Sequence, residues 1–376
     1  MCPERAARLS TTTLLLMLLS LWPTPALGEA VQKLRVEVST EMRYDSGARP
    51  GGDVAGRLLP RLGYERTSAR SAFELDYGVD LIRHLSATRL SLDHRAELTW
   101  RLQATRRLEV RALGALYRVE ESTSLPRFGV AYSEAGALWS FVELRAAHRL
   151  DRTVQIEVSA RSDWNQLLFQ RGEPQTPLSG MQVLQVSQRH YLSRRVQLGW
   201  AARGQIFSAG ESLLGSSGAL LFVSRFQLGH HSTLSLDAGP RLYRGKSASA
   251  WDPQLRLQFD WARRGLELAL IGGRDYVSAA GFASTLWTEF LQGGIGVRLA
   301  RHLRTFGYLG AFRNGLAPDS EADAVGYGVS LGLEWAFSEE FLARLVFDRL
   351  GQFDIAGHGY AMDRNIVTLR VGYRMR

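Results

Sequence analysis

Trp251-Asp252-Pro253-Gln254-Leu255-Arg256-Leu257-Gln258-Phe259-Asp260-Trp261 has one apolar edge and one polar edge. Its odd positions hold Trp, Pro, Leu, Leu, Phe and Trp, and its even positions hold Asp, Gln, Arg, Gln and Asp. That period of two belongs to a β-strand, because a helix would bring its apolar residues together every three to four positions. A strand patterned this way needs an apolar medium on one side and water on the other. Arg263-Arg264-Gly265 follows, and the alternation restarts at Leu266. The unit is therefore a strand, a tight turn and a second strand.

The same unit recurs along the chain. Leu34, Val36, Val38, Thr40, Met42 and Tyr44 alternate with Lys33, Arg35, Glu37, Ser39, Glu41 and Arg43. Phe73 to Leu81, Ala96 to Leu102 and Val154 to Ala160 behave alike. Tight turns fall at Ser68–Ser71, Arg106–Arg107, Asp151–Arg152, Arg194–Arg195, His230–His231, Arg263–Gly265, Arg301–His302 and Ser338–Glu340. Between them lie longer Gly-, Ser- and Pro-rich links, read as roughly 7 to 17 residues. Eight turns join sixteen strands, and one more at each end makes eighteen. Strands of about ten residues, short turns on one rim and longer loops on the other are the signature of a transmembrane antiparallel up-and-down β-barrel. The expected fold is all-β with about 18 strands, 16 being the next count. A β-helix would repeat at a shorter interval, and a sandwich would carry strands apolar on both faces. Pro60, Pro240 and Pro253 interrupt strands, where bulges or frayed ladders are expected.

Composition agrees. The 376 residues carry 46 Lys+Arg against 37 Asp+Glu, a net charge of +9 that is nearly all arginine. No run of 18 apolar residues occurs, which excludes a polytopic helical membrane protein. Arg5 and Arg8 precede the apolar run Leu14–Trp22, and Ala26-Leu27-Gly28 supplies a small-residue cleavage site. Residues 1–28 are thus expected to be a cleaved secretory signal and 29–376 a single barrel domain. The one cysteine, Cys2, lies in that signal, so a mature chain has no disulfide, thiolate metal site or cysteine nucleophile. Export to the outer membrane of a Gram-negative cell also argues against nucleic acid as partner.

Parity assigns side chains to the wet interior. The expected pore-lining set is Arg35, Glu74, Asp76, Asp80, Glu97, Arg101, Arg111, Arg161, Asp163, Arg203, Arg241, Arg256, Asp260, Arg304, Glu334 and Arg370. These charges could attract hydrated solutes or form cross-strand ion pairs that stiffen the wall. A second set, Arg106, Arg107, Arg152, Arg194, Arg195, His230, His231, Arg263, Arg264 and Arg301, crowds the short-turn, periplasmic rim. That ring suits anionic lipid headgroups, an acidic periplasmic partner or an anionic polymer. Aromatics at strand ends, among them Tyr44, Tyr64, Tyr117, Trp139, Trp164, Tyr191, Tyr243, Trp251, Trp261, Tyr276, Trp287 and Trp335, are expected to form the two interfacial girdles. The eight histidines are expected at rims and loops. No His-Glu-x-x-His, Gly-x-Ser-x-Gly or phosphate-loop motif occurs, so no catalytic residue, metal or cofactor is expected. Links 120–136 and Asn165–Gly180 are the longest, and either could fold inward as a constriction.

The last segment, Asn365 to Arg376, resembles the C-terminal strand by which outer-membrane barrels are recognised for assembly, although it ends in Met-Arg rather than an aromatic. Leu59 to Thr67, Ala72 to Asp80 and Leu92-Asp93-His94-Arg95-Ala96 together resemble barrels of the porin class encoded beside exopolysaccharide, capsule and exosortase systems. In those, a Tyr-rich hairpin is followed by Asp-His-Arg at the head of the next strand. The resemblance implies an outer-membrane channel that passes a secreted polysaccharide, working with a periplasmic polysaccharide-export partner. The alternative is a general diffusion porin for small hydrophilic solutes. A barrel enzyme acting on outer-membrane lipid is the reading from a different class.

Overall fold

The structure, a computed structural model, describes residues 30–47, 52–85, 90–120, 136–168, 177–246, 248–278, 284–317, 323–355 and 361–375. The expected signal, residues 1–28, lies outside them. The described residues form eighteen strands. These are β1 (Val31–Asp45), β2 (Asp53–Thr67), β3 (Ser71–His84), β4 (Leu90–Gln103), β5 (Leu108–Val119) and β6 (Ala137–Arg149). They continue as β7 (Val154–Leu167), β8 (Ser179–Tyr191), β9 (Val196–Ala209), β10 (Ser212–Gln227), β11 (Ser232–Gly245) and β12 (Ser249–Arg263). The last six are β13 (Leu266–Val277), β14 (Leu286–Ala300), β15 (Leu303–Leu316), β16 (Ala324–Ala336), β17 (Phe341–Asp354) and β18 (Met362–Met375). Each pairs antiparallel with its sequence neighbours, and β1 pairs with β18 through Thr40↔Val371 and its flanking rungs. The sheet closes on itself, so no edge is left unpaired.

Alternation gives the barrel its two surfaces. Leu34, Met42, Leu62, Leu184, Phe222, Trp251, Leu309, Leu331 and Leu369 point outward and stay exposed. Exposed apolar side chains on nearly every strand are unstable in water and stable in lipid, so the outer face is membrane-facing. The chain is a multi-pass outer-membrane β-barrel. Strands of 12 to 16 residues exceed the expected length of about ten, and the excess extends the wall beyond the apolar band.

Turn chemistry fixes the periplasmic rim. In four turns, one Ser, Thr or Asp oxygen receives two backbone N–H groups. Thr105 Oγ1 accepts from Arg107 and Leu108, Asp151 Oδ1 from Thr153 and Val154, Ser193 Oγ from Arg195 and Val196, and Ser338 Oγ from Glu340 and Phe341. The side-chain oxygen stands in for a backbone acceptor and closes the turn. In three of the four the acceptor is the residue before the charged pair, and at Asp151–Arg152 it is the pair's own aspartate. Arg264 (φ 47°) and Gly265 (φ 83°) form a left-handed two-residue turn that matches strand twist.

The other rim differs from expectation. Gly210–Glu211 joins β9 to β10 and 246–248 joins β11 to β12, so two links there are as short as the periplasmic turns. Alternation and pairing run nearly to the turn in both hairpins, leaving few residues to loop out. The three prolines sit where a ladder breaks. Pairing of β2 with β3 skips Leu59 and Pro60, β10 with β11 skips Gly239 and Pro240, and β12 with β13 ends at Leu255↔Arg274, short of Pro253. A proline has no N–H to donate to a neighbour.

Candidate functional site in the barrel lumen

Strand register places all sixteen residues of the expected pore-lining set on the inner face. They do not stand there as free charges. Arg35 pairs with Asp76 at 2.5 Å and Glu74 at 3.7 Å, and Arg95 with Asp80 at 2.8 Å. Glu109 bridges Arg101 (3.0 Å) and Arg111. Arg161 grips Asp163 with two nitrogens, at 2.7 and 2.8 Å, and reaches Glu143 at 3.6 Å. Glu97 accepts a hydrogen bond from the Tyr117 hydroxyl, and Arg304 pairs with Glu267 at 2.6 Å. Arg370 pairs with Glu37 at 3.2 Å. Glu334 stands directly opposite Arg304 on one side and Arg344 on the other. Arg256 stands opposite Asp237, and Asp260 opposite Thr233 with a hydrogen bond from Gln258 at 2.8 Å. Cross-strand ion pairs account for most of this wall.

The densest group lies in the outer half. Arg241 on β11 is wholly buried. Its guanidinium donates to Asp252 on β12 at 3.0 and 2.6 Å and to Asp275 on β13 at 2.8 Å, and it lies 3.9 Å from the centre of the Tyr276 ring. Asp275 also holds Arg203 of β9 at 2.9 Å. Asp252 receives Arg274 at 3.2 Å, Arg274 reaches Glu289 at 2.7 Å, and Glu289 holds Arg313. A charge buried this deeply is tolerable only because every side is compensated.

That network fastens a hairpin inside the pore. Beyond Leu255↔Arg274 the β12–β13 ladder ends. The tip of the β13–β14 hairpin then leaves the wall and packs against the inner faces of β7 to β11. Asn165 on β7 donates to the Ser278 hydroxyl at 3.0 Å, and Gln205 on β9 donates to the Tyr276 carbonyl at 3.3 Å. Tyr276 stacks obliquely on Tyr243 with ring centres 4.7 Å apart and meets Phe207 edge-on at 6.3 Å. Met181 and Trp287 complete a buried cluster spanning β8 to β14. Burying rings of this size adds well over 1 kcal/mol each. This inturned hairpin belongs to neither of the two longest links, 120–136 and Asn165–Gly180. Asn165 and Gly180 are paired within β7 and β8 and belong to the wall that receives it. Residues 121–135 and 169–176 lie outside the described residues.

The opposite arc of wall is built from glycine and aromatic rings. Inner positions on β14 to β16 include Gly294, Gly296, Gly310, Gly326, Gly328 and Gly332. Phe306 lies over Gly332, where an added Cβ would come within 2.0 Å of the ring, and Phe312 lies over Gly326, at 2.3 Å. Arg344 from β17 stacks on the free face of Phe306 at 4.5 Å. Rings pressed flat take little of the lumen, and a recess of about 460 Å³ opens beside Gly294, Gly296, Tyr308 and Arg304.

Other expected positions need correction. Tyr117, Trp139, Tyr191, Tyr243, Tyr276 and Trp287 do not join the girdles: the register turns the first four inward, and the last two belong to the inturned hairpin. Proximity to a strand end gives depth, and only parity gives side. Tyr44, Tyr64, Trp164, Trp251, Trp261 and Trp335 do face outward. His84 faces the lumen and meets Asp53 at 2.8 Å, and His94 faces lipid from within β4, so neither sits on a loop. Arg106, Arg107, Arg152, Arg194, Arg195, His230, His231, Arg263, Arg264 and Arg301 lie at the periplasmic turns and strand ends. Arg107 caps the adjacent turn by donating to the Leu150 carbonyl at 3.1 Å. Among the described residues no group of three His, Cys, Asp or Glu side chains could hold a metal ion.

No family model and no curated protein matches this chain. Solved structures of outer-membrane channels resemble it at the level of the barrel. OpdQ of Pseudomonas aeruginosa is 10% identical over 92% of this chain and 98% of that one, with a TM-score of 0.47. OccK2 (OpdF) of the same organism, crystallised with glucuronate, is 10% identical over 92% and 97%, with a TM-score of 0.48. OccAB4 of Acinetobacter baumannii is 10% identical over 94% and 100%, with a TM-score of 0.48. Resemblance this distant says nothing about the solute.

Proposed function

We propose that this barrel is a passive outer-membrane channel for small hydrophilic solutes. The observation that carries this reading is the inturned β13–β14 hairpin, which narrows the lumen from within and is fastened at both its polar and its aromatic contacts. A solute passing it must be small, and the ion-paired wall favours hydrated, polar molecules over apolar ones. The near balance of charge along the wall supports weak ion preference.

The polysaccharide-export reading rests on the stretch from Leu59 to Ala96. Those residues form β2, β3 and the head of β4, where Asp93 and Arg95 face the lumen and His94 faces lipid. That arrangement serves wall construction in a barrel of any cargo. Swelling of liposomes carrying the refolded barrel decides between the two. Monosaccharides and small amino acids should enter quickly and oligosaccharides of six or more units should be excluded. Passage of long glycans at a comparable rate would overturn the small-solute reading, as would failure to admit any solute.

A further inference from the structure

The lipid-facing surface carries a polar group that the channel does not use. His94 on β4 and Arg118 on β5 stand directly opposite each other on the outward face. The Tyr77 hydroxyl of β3 lies 3.0 Å from His94 Nδ1. With that hydroxyl donating to Nδ1, the ring proton resides on Nε2 and is free to donate away from the wall.

Two features make this group unusual. First, it lies within the sheet: His94 is four residues inside the end of β4, roughly 10 Å below it for a strand tilted by about 40°. Leu90 and Leu92, both exposed, sit above it on the same face. Trp164, three strands on, belongs to the aromatic belt of the same rim. Second, Arg118 makes no ion pair among the described residues, whereas Arg349 is held by Asp363 at 3.0 Å on the same outer surface. Arg83 also lacks an ion pair and, like Arg118, stands one residue from the end of its strand. A guanidinium that faces lipid without a counter-anion is unfavourable.

We infer that Tyr77, His94 and Arg118 form a binding site for a phosphorylated glycolipid of the outer leaflet. Arg118 would take the phosphate as a two-pronged donor, His94 Nε2 would add a third hydrogen bond, and the flanking leucines would cover the upper part of an acyl chain. The depth matches headgroup phosphates at the aromatic belt, which is why a membrane glycolipid is chosen over a soluble phosphate.

The test uses the whole refolded barrel in phosphatidylcholine nanodiscs doped with bisphosphorylated or dephosphorylated lipid A, with retained lipid counted by mass spectrometry after mild extraction. Wild type should retain the phosphorylated lipid at least about tenfold better than the dephosphorylated one. Arg118→Leu combined with His94→Leu should abolish that preference and leave channel conductance unchanged. Arg118→Lys, which keeps the charge, should keep part of it, and serves if the double variant does not fold. Arg83→Leu should change nothing. Equal retention of the two lipids by wild type would overturn the proposal, as would undiminished preference in both Arg118 variants. Full displacement by phosphatidylglycerol or by inorganic phosphate would overturn the assignment to a glycolipid.

Discussion

The wall from β7 to β12 and the wall from β14 to β16 solve the same problem in opposite ways. Both must present a wet inner face on a strand whose outer face is apolar. The first uses long charged side chains and neutralises them by pairing, as Arg161 does with Asp163 and Arg241 does with Asp252 and Asp275. The second removes side chains altogether and lays Phe306 and Phe312 across the glycines. The paired wall is thick, and it receives the inturned hairpin. The glycine wall is thin, and it leaves the space that remains. A pore that is narrow but not closed follows from having both.

The contrast is most easily broken at Arg241. Arg241→Ala leaves Asp252 and Asp275 with only Arg274 and Arg203 to offset them, and should destabilise the barrel by about 3–5 kcal/mol. Urea unfolding from vesicles would measure it. The same change frees the hairpin tip, so single-channel conductance should rise. Replacing Arg241, Asp252 and Asp275 together by Met, Leu and Leu should restore most of the stability. If the triple variant is as unstable as the single one, compensation of charge is not what holds this wall.

The glycine arc should respond to size, not charge. Gly332→Ala sets a methyl group within contact distance of the Phe306 ring, which must swing into the lumen and lose its fit under Arg344. A cost of about 1–3 kcal/mol is expected, together with lower conductance as the ring takes space from the recess. Phe306→Leu in the same chain should relieve both effects. An unchanged conductance would mean that solutes do not travel along this arc.

How far these differences can be read from the sequence depends on their range. Parity needs only neighbours along the chain, so the alternation from Trp251 to Trp261 and the tight turns yielded the eighteen strands and the inner position of Arg35 or Asp260 before any coordinates. Which carboxylate each arginine meets depends on cross-strand register. Arg35 with Asp76, 41 residues away, is invisible to period and spacing. The inturned hairpin was hidden for a related reason. Its link is short, and nothing in Tyr276 or Trp287 distinguishes a ring that faces a neighbouring wall from one that faces lipid. One local signal is present: Pro253, where a frayed ladder is expected and next to which β12 no longer holds β13. The turn-closing role of Thr105 and Ser193 is likewise legible, one residue ahead of the basic pairs Arg106-Arg107 and Arg194-Arg195.

A milder substitution sharpens the comparison from the exposed end of the charge scale. Arg304 and Glu267 meet at 2.6 Å near the periplasmic mouth, but about half of each side chain is exposed (43% and 56%). Arg304→Ala should cost no more than about 0–1 kcal/mol, and the loss should vanish in molar salt. Arg241→Ala should keep most of its cost in the same salt. If both respond alike to salt, burial is not what separates them.

The smallest expected effect compares two turns of the same build, one beside the paired wall and one beside the glycine wall. At β6–β7 the acceptor is Asp151, whose carboxyl is held below the ordinary aspartate range by the Thr153 N–H, then the Thr153 hydroxyl and the Val154 N–H. At β16–β17 the acceptor is the Ser338 hydroxyl, which has no charge to lose. A carboxyl whose pKa is lowered on folding stabilises the folded turn fully above its unfolded value, near pH 4, and loses that contribution as the pH falls through the lower folded value. Hydrogen exchange at the Thr153 and Val154 amides should therefore accelerate, relative to the intrinsic rate, as the medium is acidified from pH 5 towards pH 2. The Glu340 and Phe341 amides should show no such step. Asp151→Asn keeps a side-chain oxygen in the same place and should abolish the step with little change in exchange at neutral pH. A step that survives in the Asn variant would assign the acid sensitivity to the wall beneath the turn instead of to the turn itself.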